Sequence, residues 1–406
     1  MVTVPEPPHQ KPAGLRETIS GITTSNISVG LVSFLFASTG PVALVIAAAA
    51  KGNLGETEIA AWLFGAFVLN SVFTIVFSSY YRQPLVFLFT MPGTVLVGQA
   101  LTHMSFAEVV GAYLVAGVIV LGLGLTRLVG RVMALVPMPI VMGMVSGVFL
   151  QFGLDWVRAF PEAFPVACSM TVAFFAVGAF PVVARKLPPM IVALVVGIAA
   201  AWASGLLASV GPVPLTLELP HLVVPRWSWA AIAELSVPLA ITVVAIQNAQ
   251  GIAVLSAAGH RTPVDLVATV SGIGALITAM LGTVSTCLAG AVTGILVTGV
   301  EREKQYISAV VTGLLAMAFG LCASVLARLS LVAPKPLIAT LAGLAMLRIL
   351  ETAFISAFKG SYSFGALIAF LVTLSGMPIV NIGAPFWGLV FGVLASHLVD
   401  ERPRLR

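Results

Sequence analysis

Long apolar runs alternate with short polar joints along the chain. Ile27–Ala50, Val109–Thr126, Met190–Gly211 and Phe364–Leu374 are almost uninterrupted, and similar runs recur over nearly the whole length. Roughly 20 apolar residues in a helix cross the hydrocarbon core of a bilayer. The pattern therefore predicts an all-α polytopic membrane protein. Spans fall at about 24–49, 58–80, 85–101, 106–126, 136–153, 164–183, 187–210, 229–257, 264–282, 285–300, 305–327, 335–357, 362–377 and 380–399. That makes fourteen, of which the third and tenth are short and irregular.

Composition agrees. The 406 residues are 59% hydrophobic and 9% charged, with a mean hydropathy of +1.09, whereas a soluble domain carries about 25% charged residues. Residues 1–19 are polar and proline-rich and read as a cytoplasmic tail, not a signal peptide. Cys168, Cys287 and Cys322 form no C-x-x-C pair and the five histidines are scattered, so no disulfide framework, metal cluster or cofactor is expected.

The net charge of +5 has a topological explanation and needs no nucleic-acid partner. With both termini cytoplasmic, Lys11, Arg16, Arg82, Arg127, Arg131, Arg185, Lys186, Arg261, Arg302, Lys304, Lys359, Arg402, Arg404 and Arg406 fall inside. Lys51, Arg158, Arg226, Arg328 and Lys335 fall outside, and Arg348 lies within a span. This is the sense of the positive-inside rule.

The chain also resembles itself. "VPMPIVMGMVSG" at 136–147 matches "APKPLIATLAGL" at 333–344, pairing Pro137 with Pro334 and Pro139 with Pro336. The same offset of 197 pairs Arg131 with Arg328 and Gly93 with Gly290. Two seven-span halves are expected, at 20–205 and 229–400, joined by an extracytoplasmic linker at 206–228. Because seven is odd, the second half would be inverted, a frequent transporter design.

The two short spans carry helix-breaking residues. In "FTMPGTVLVG" (89–98), Leu85–Thr90 suits an extended piece, and Pro92 suits the first turn of a helix that follows. "GTVSTCLAGAVTGILVTG" (282–299) repeats the plan with Ser285, Thr286 and Gly290. Broken backbone at membrane depth survives only when buried in protein or lining a cavity. Two half-helix N-termini would then meet near the midplane and offer N–H donors to a small anion or acceptor-rich solute. The competing reading is that Gly93 and Gly290 only allow close helix packing.

Polar side chains at membrane depth complete the candidate site. "VVAIQNAQGIAV" (243–254) holds Gln247, Asn248 and Gln250, with Gln247 and Gln250 on one helical face and Gly251 open to a ligand. Interhelical hydrogen bonding is the alternative. Ser38 and Thr39 precede Pro41 in the first span and can instead bond back into their own helix. Glu351, three residues after Arg348, reads as a structural ion pair, with a proton site as the alternative. Asp155 and Glu234 lie near span ends and read as interfacial, and His103 falls in an outer loop. No residue stands out as a proton carrier.

Five stretches in order resemble the uracil/xanthine permease fold: the first broken span, "LVPMPIVMGMVSGVFLQFG", "LPHLVVPRWSW", "SGIGALITAMLGTVSTCLAGAVTGILVTG" and "VNIGAPFWGLVFG". Within that superfamily, "FTMPGTVLVGQAL" and "IQNAQGIAVL" look most like the BenE-type benzoate:proton symporters, over nearly the full length. Nucleobase permeases carry glutamates where this chain has Gln247 and Ala291. The resemblance implies a bacterial inner-membrane importer of benzoate or a related aromatic carboxylate, coupled to protons. It places Gly93, Thr94, Gln247, Asn248, Gln250, Cys287, Gly290, Ala291, Ser38 and Thr39 around the substrate. It also implies a core domain of spans 1–4 and 8–11 moving like an elevator against a gate domain of spans 5–7 and 12–14. Gate domains in that superfamily often dimerise, so a homodimer through this domain is an open expectation.

The missing glutamates leave the coupling unexplained. The rival within transport is a permease for a nucleobase or small inorganic anion. A membrane enzyme lacks support, since Cys287, Ser285 and Thr286 have no base nearby in sequence, and no Walker A loop is present. A channel would not need paired broken helices.

Overall fold

The computed structural model of the chain describes residues 6–8, 10–131, 137–180, 183, 188–207, 221–298, 300–377, 379 and 382–400. Arg185, Lys186, Arg402, Arg404 and Arg406, the first residues of the tail and most of the expected 206–228 linker lie outside the described residues.

In chain order the main elements are α1 (Thr24–Lys51), α2 (Glu56–Tyr81), β1 (Phe87–Phe89), α3 (Met91–Ala100), α4 (Phe106–Thr126), α5 (Met138–Glu162), α6 (Phe164–Gly178) and α7 (Pro189–Ala203). Then come α8 (Trp229–Ala257), α9 (Val264–Ala279), β2 (Thr286–Leu288), α10 (Gly290–Leu296), α11 (Arg302–Leu321), α12 (Lys335–Phe358), α13 (Ser363–Ser375) and α14 (Ala384–Val399). A short helix, Ala323–Val332, continues α11 past Cys322. Among the described residues, seven helices (α1, α2, α4, α5, α8, α11 and α12) are long and apolar enough to cross a membrane. The protein is a mostly helical, multi-pass membrane protein.

Helix starts follow local chemistry. Thr23 accepts the Asn26 N–H at 3.3 Å while Asn26 Oδ1 accepts the Thr23 N–H at 3.2 Å, which closes the start of α1. At the start of α4, Glu108 Oε2 accepts both the N–H and the hydroxyl of Ser105, at 3.0 and 2.7 Å. Pro137 and Pro334 precede α5 and α12, with Pro139 and Pro336 in their first turns. There the missing N–H costs nothing, because first-turn donors have no intrahelical partner.

Packing contacts fall into two sets, joined by α1 against α12 and α3 against α5. α5 lies against α12 and α13, α13 against α14, and α6 against α7 and α12. α4 lies against α9, α11 against α1 and α2, and α8 against α10. Aromatic contacts anchor β1 in the second group: Phe67 meets Phe89 edge-on at 5.9 Å and Phe319 at 5.0 Å.

Candidate functional site

β1 and β2 pair antiparallel, with Phe87 opposite Leu288, Leu88 opposite Cys287 and Phe89 opposite Thr286. Two further bonds extend the ladder symmetrically: Thr90 N–H donates to Ser285 O at 3.0 Å, and Ala289 N–H donates to Val86 O at 2.8 Å. A helix starts directly after each strand. For α3, Thr90 is the cap and its hydroxyl accepts the Gly93 N–H at 3.2 Å, while Pro92 sits in the first turn. For α10 the cap is Ala289, which brings no side-chain acceptor.

The helix starts set a register that differs from the sequence pairing. Met91 and Gly290 open their helices 199 positions apart, whereas Met138 and Lys335 open α5 and α12 197 apart. Gly290 therefore matches Met91, not Gly93. The first half carries two more residues between the strand-led helix and the proline-led one.

α8 runs beside this junction and is not a uniform α-helix. It contains two π-turns, Ile232–Ser236 and Thr242–Asn248. Such turns interrupt the i→i+4 ladder and often mark functional positions. Thr242 meets the α3 cap, with its hydroxyl 3.3 Å from that of Thr90. Gln247 is 4% exposed and makes no side-chain hydrogen bond among the described residues.

The other expected site residues have other occupations. Asn248 Nδ2 donates to Ser271 Oγ at 3.2 Å, and its Oδ1 accepts the Leu288 N–H at 2.7 Å, so it holds β2 in place. Gln250 is exposed and does not share a buried face with Gln247. The π-turn at 242–248 shifts the helical phase, so the three-residue spacing no longer sets a common face. Gly251 opens toward protein and not toward a ligand: a Cβ there would stand 2.5 Å from Leu288. Gly93 faces Leu239 at 2.9 Å from such a Cβ, and Gly290 faces Gln250 at 2.7 Å. Both glycines thus serve close packing.

Thr94 bonds back to Thr90 O at 2.9 Å, and Thr39 to Leu35 O at 2.8 Å, with Ser38 half-buried beside it at 3.4 Å from the same carbonyl. Cys287 is fully buried in a cluster with Val120, Val243 and Ala268. Ala291 is half-buried in the first turn of α10. The structure therefore brings Gly93, Gln247, Asn248, Gly290 and Ala291 into elements around one strand pair. Gln250 reaches the junction through its contact with Gly290, and Ser38 and Thr39 lie on α1, which packs on α10.

Several polar residues at the junction escaped the sequence reading. Thr286 donates to Asn70 Oδ1 of α2 at 2.8 Å, and the Thr74 hydroxyl accepts the Phe87 N–H at 2.9 Å. Asn70 in "FVLNSVF" is the one signal that could have flagged this helix. Ser285 Oγ and Thr293 Oγ1 are buried without a partner among the described residues. Glu234, expected at the interface, is 2% exposed. The Arg348–Glu351 pair forms at 2.9 Å, as an ion pair between exposed side chains.

Chemically, this junction offers an uncapped helix start, a buried amide free to bond and unpaired hydroxyls, without a buried Lys or Arg among the described residues. That set can bind an acceptor-bearing solute through dipoles instead of a full countercharge.

The chain is 28% identical over 377 residues to the benzoate membrane transport protein of Acinetobacter baylyi, covering 91% of this chain and 94% of that one. It is 28% identical over 391 residues to the inner membrane protein YdcO of Escherichia coli K12, covering 94% and 98%. Its fold is similar to the transmembrane domain of the cyanobacterial bicarbonate transporter BicA (TM-score 0.58, 16% identity, 94% of this chain and 99% of that one). It is also similar to murine Slc26a9, an anion transporter in the inward-facing state (TM-score 0.65, 16% identity, 92% and 68%). The family model described as benzoate membrane transport protein matches residues 20–398, and the chain belongs to this BenE family of membrane transport proteins.

Proposed function

We propose that the protein is a secondary active transporter that imports benzoate or a related aromatic carboxylate across a bacterial inner membrane by proton symport. The observation that carries this reading is the antiparallel β1–β2 pair with a helix opening directly after each strand. An antiparallel pair is locally twofold, which is the symmetry an inverted seven-plus-seven repeat requires at its crossing point. On this reading the third and tenth of fourteen spans are broken at β1–α3 and β2–α10, and both termini are cytoplasmic.

The substrate carboxylate would lie between the starts of α3 and α10, with Gln247 as the side-chain donor from α8. Glycines at 93 and 290 keep α8 and the half-helices close enough for that contact. α1–α4 and α8–α11 would form the moving core, and α5–α7 with α12–α14 the gate, a division supported by the contacts within each group, with α1 against α12 and α3 against α5 as the contacts between them. An elevator-like movement of core against gate would alternate access, and a homodimer through the gate would hold the gate still.

Uptake of labelled benzoate, uracil and bicarbonate into proteoliposomes tests the reading. Saturable benzoate uptake that collapses with a protonophore, and that Gln247→Ala reduces at least tenfold, is expected. Uptake of uracil or bicarbonate in preference to benzoate would replace the substrate and leave the fold reading intact.

A further inference from the structure

Among the described residues, Glu234 is the only charged side chain that is fully buried. It lies in the first π-turn of α8, thirteen residues before Gln247 and apart from the β1–β2 junction. Its Oε2 accepts the Gly383 N–H at 2.5 Å, at the cap position of α14, and lies 3.1 Å from His103 Nε2, just after α3. A Cβ at position 383 would collide with the carboxylate, so the glycine makes the docking possible. The pair stands in the wall of a cavity of about 260 Å³ that also touches Gln99, Thr102 and Gln151. Gln99 Nε2 is buried there without a partner among the described residues. His103 is about one-third exposed and links the pair to solvent.

We propose that Glu234 and His103 form a proton-binding site that ties α8 and α3 to the N-terminus of α14, and that the coupled proton of transport binds there. This rests on the proton-symport reading above. Unprotonated, the pair carries one negative charge against the positive end of α14, and the contact is favourable. A proton entering through the cavity neutralises the pair, whether it settles on the carboxylate or the imidazole. The attraction for α14 then falls, and the core is freed from the gate. Release of that proton on the other side restores the charge and the contact.

The other charged groups near Glu234 are already engaged. Glu108 of α4 bonds to Ser105, and Arg226 lies beside that helix start. Asp155 of α5, beyond the cavity, pairs with Lys51 and Arg158. α14 adds only His397, about 20 Å away along its axis, and Asp400, which accepts the Gly365 N–H. α3 and α13 carry no charged residue.

Two measurements on the full-length protein test the proposal. The first is amide hydrogen exchange at Gly383, Ala384 and Phe386, corrected for the intrinsic pH effect. Wild type is expected to lose at least tenfold protection between pH 8 and pH 5, and Glu234→Gln to show the low value at both. The second uses proteoliposomes. Glu234→Gln and His103→Asn should each cut benzoate accumulation driven by a pH gradient at least tenfold, while benzoate–benzoate exchange falls less than threefold. Glu108→Gln should accumulate as wild type does. Wild-type protection that ignores pH, or accumulation retained in Glu234→Gln, overturns the proposal. Should wild type move no benzoate at all, the transport reading fails, and the exchange arm still decides whether the proton site exists.

Discussion

Asn248 accepts the amide hydrogen of Leu288 at 2.7 Å, across forty positions of chain, while its neighbour Gln247 bonds to nothing among the described residues. Adjacent amides on one π-turn thus differ in their bonding: one fixes the strand pair, and the other has no side-chain partner among the described residues.

The two should separate in measurement. Asn248→Ala leaves the Leu288 N–H buried without its acceptor, which costs about 1–3 kcal/mol. Thermal unfolding in detergent should register that loss, with Gln247→Ala unfolding within about a degree of wild type. Uptake assays should rank them differently, since Gln247→Ala loses transport despite its stability. A Gln247→Ala protein as unstable as Asn248→Ala would refute the division.

Close approach of α8 to β2 makes a second prediction. Gly251→Ala drives a methyl against Leu288 and should destabilise by about 1–3 kcal/mol, the usual range for overpacking. Gly122 in α4 has no atom within 4 Å of the position a Cβ would take. Gly122→Ala should therefore change stability by less than about 1 kcal/mol, in the favourable direction. Urea or heat titration of both variants in the same detergent checks the contrast.

The loop after α8 carries a pH dependence of its own. His260 Nε2–H donates to Gln305 Oε1 at 2.7 Å, and Gln305 Nε2 donates to Val297 O and Val300 O at 3.1 Å each. Burial pushes the His260 pKa below its ordinary value of 6.5, against the opposing effect of the Gln305 bond. The folded state binds this proton more weakly than the unfolded chain. Its contribution to stability is thus complete above pH 6.5 and is lost as the pH falls through the depressed value. Melting temperatures at pH 7.5 and pH 5 should differ more for wild type than for His260→Gln.

Much of this was legible in the sequence, and the residues explain where legibility stopped. Hydropathy located the long helices because lipid demands continuous apolar length. Pro92 and the β-branched and aromatic residues before it announced a strand followed by a helix, and Phe87–Phe89 and Met91–Ala100 stand there. Gln250 misled because i,i+3 spacing presumes 3.6 residues per turn, and a π-turn precedes it. Asn248 read as a ligand contact because its true partner lies forty residues on. Glu234 read as interfacial from its place near a span end; its burial depends on Gly383, 149 residues later. Local pattern gave the elements, and long-range partners gave the duties of the polar residues.

The strand pair also bears on how the protein is made. β1 and its partner are separated by almost half the chain, since Phe89 faces Thr286. At about 5–20 residues per second, a ribosome takes roughly 10–40 s to supply the second strand after the first. Throughout that interval the main-chain groups of β1 that β2 will pair wait for their partner. The segment around β1 is therefore made incomplete, and the arrival of β2 is what closes it.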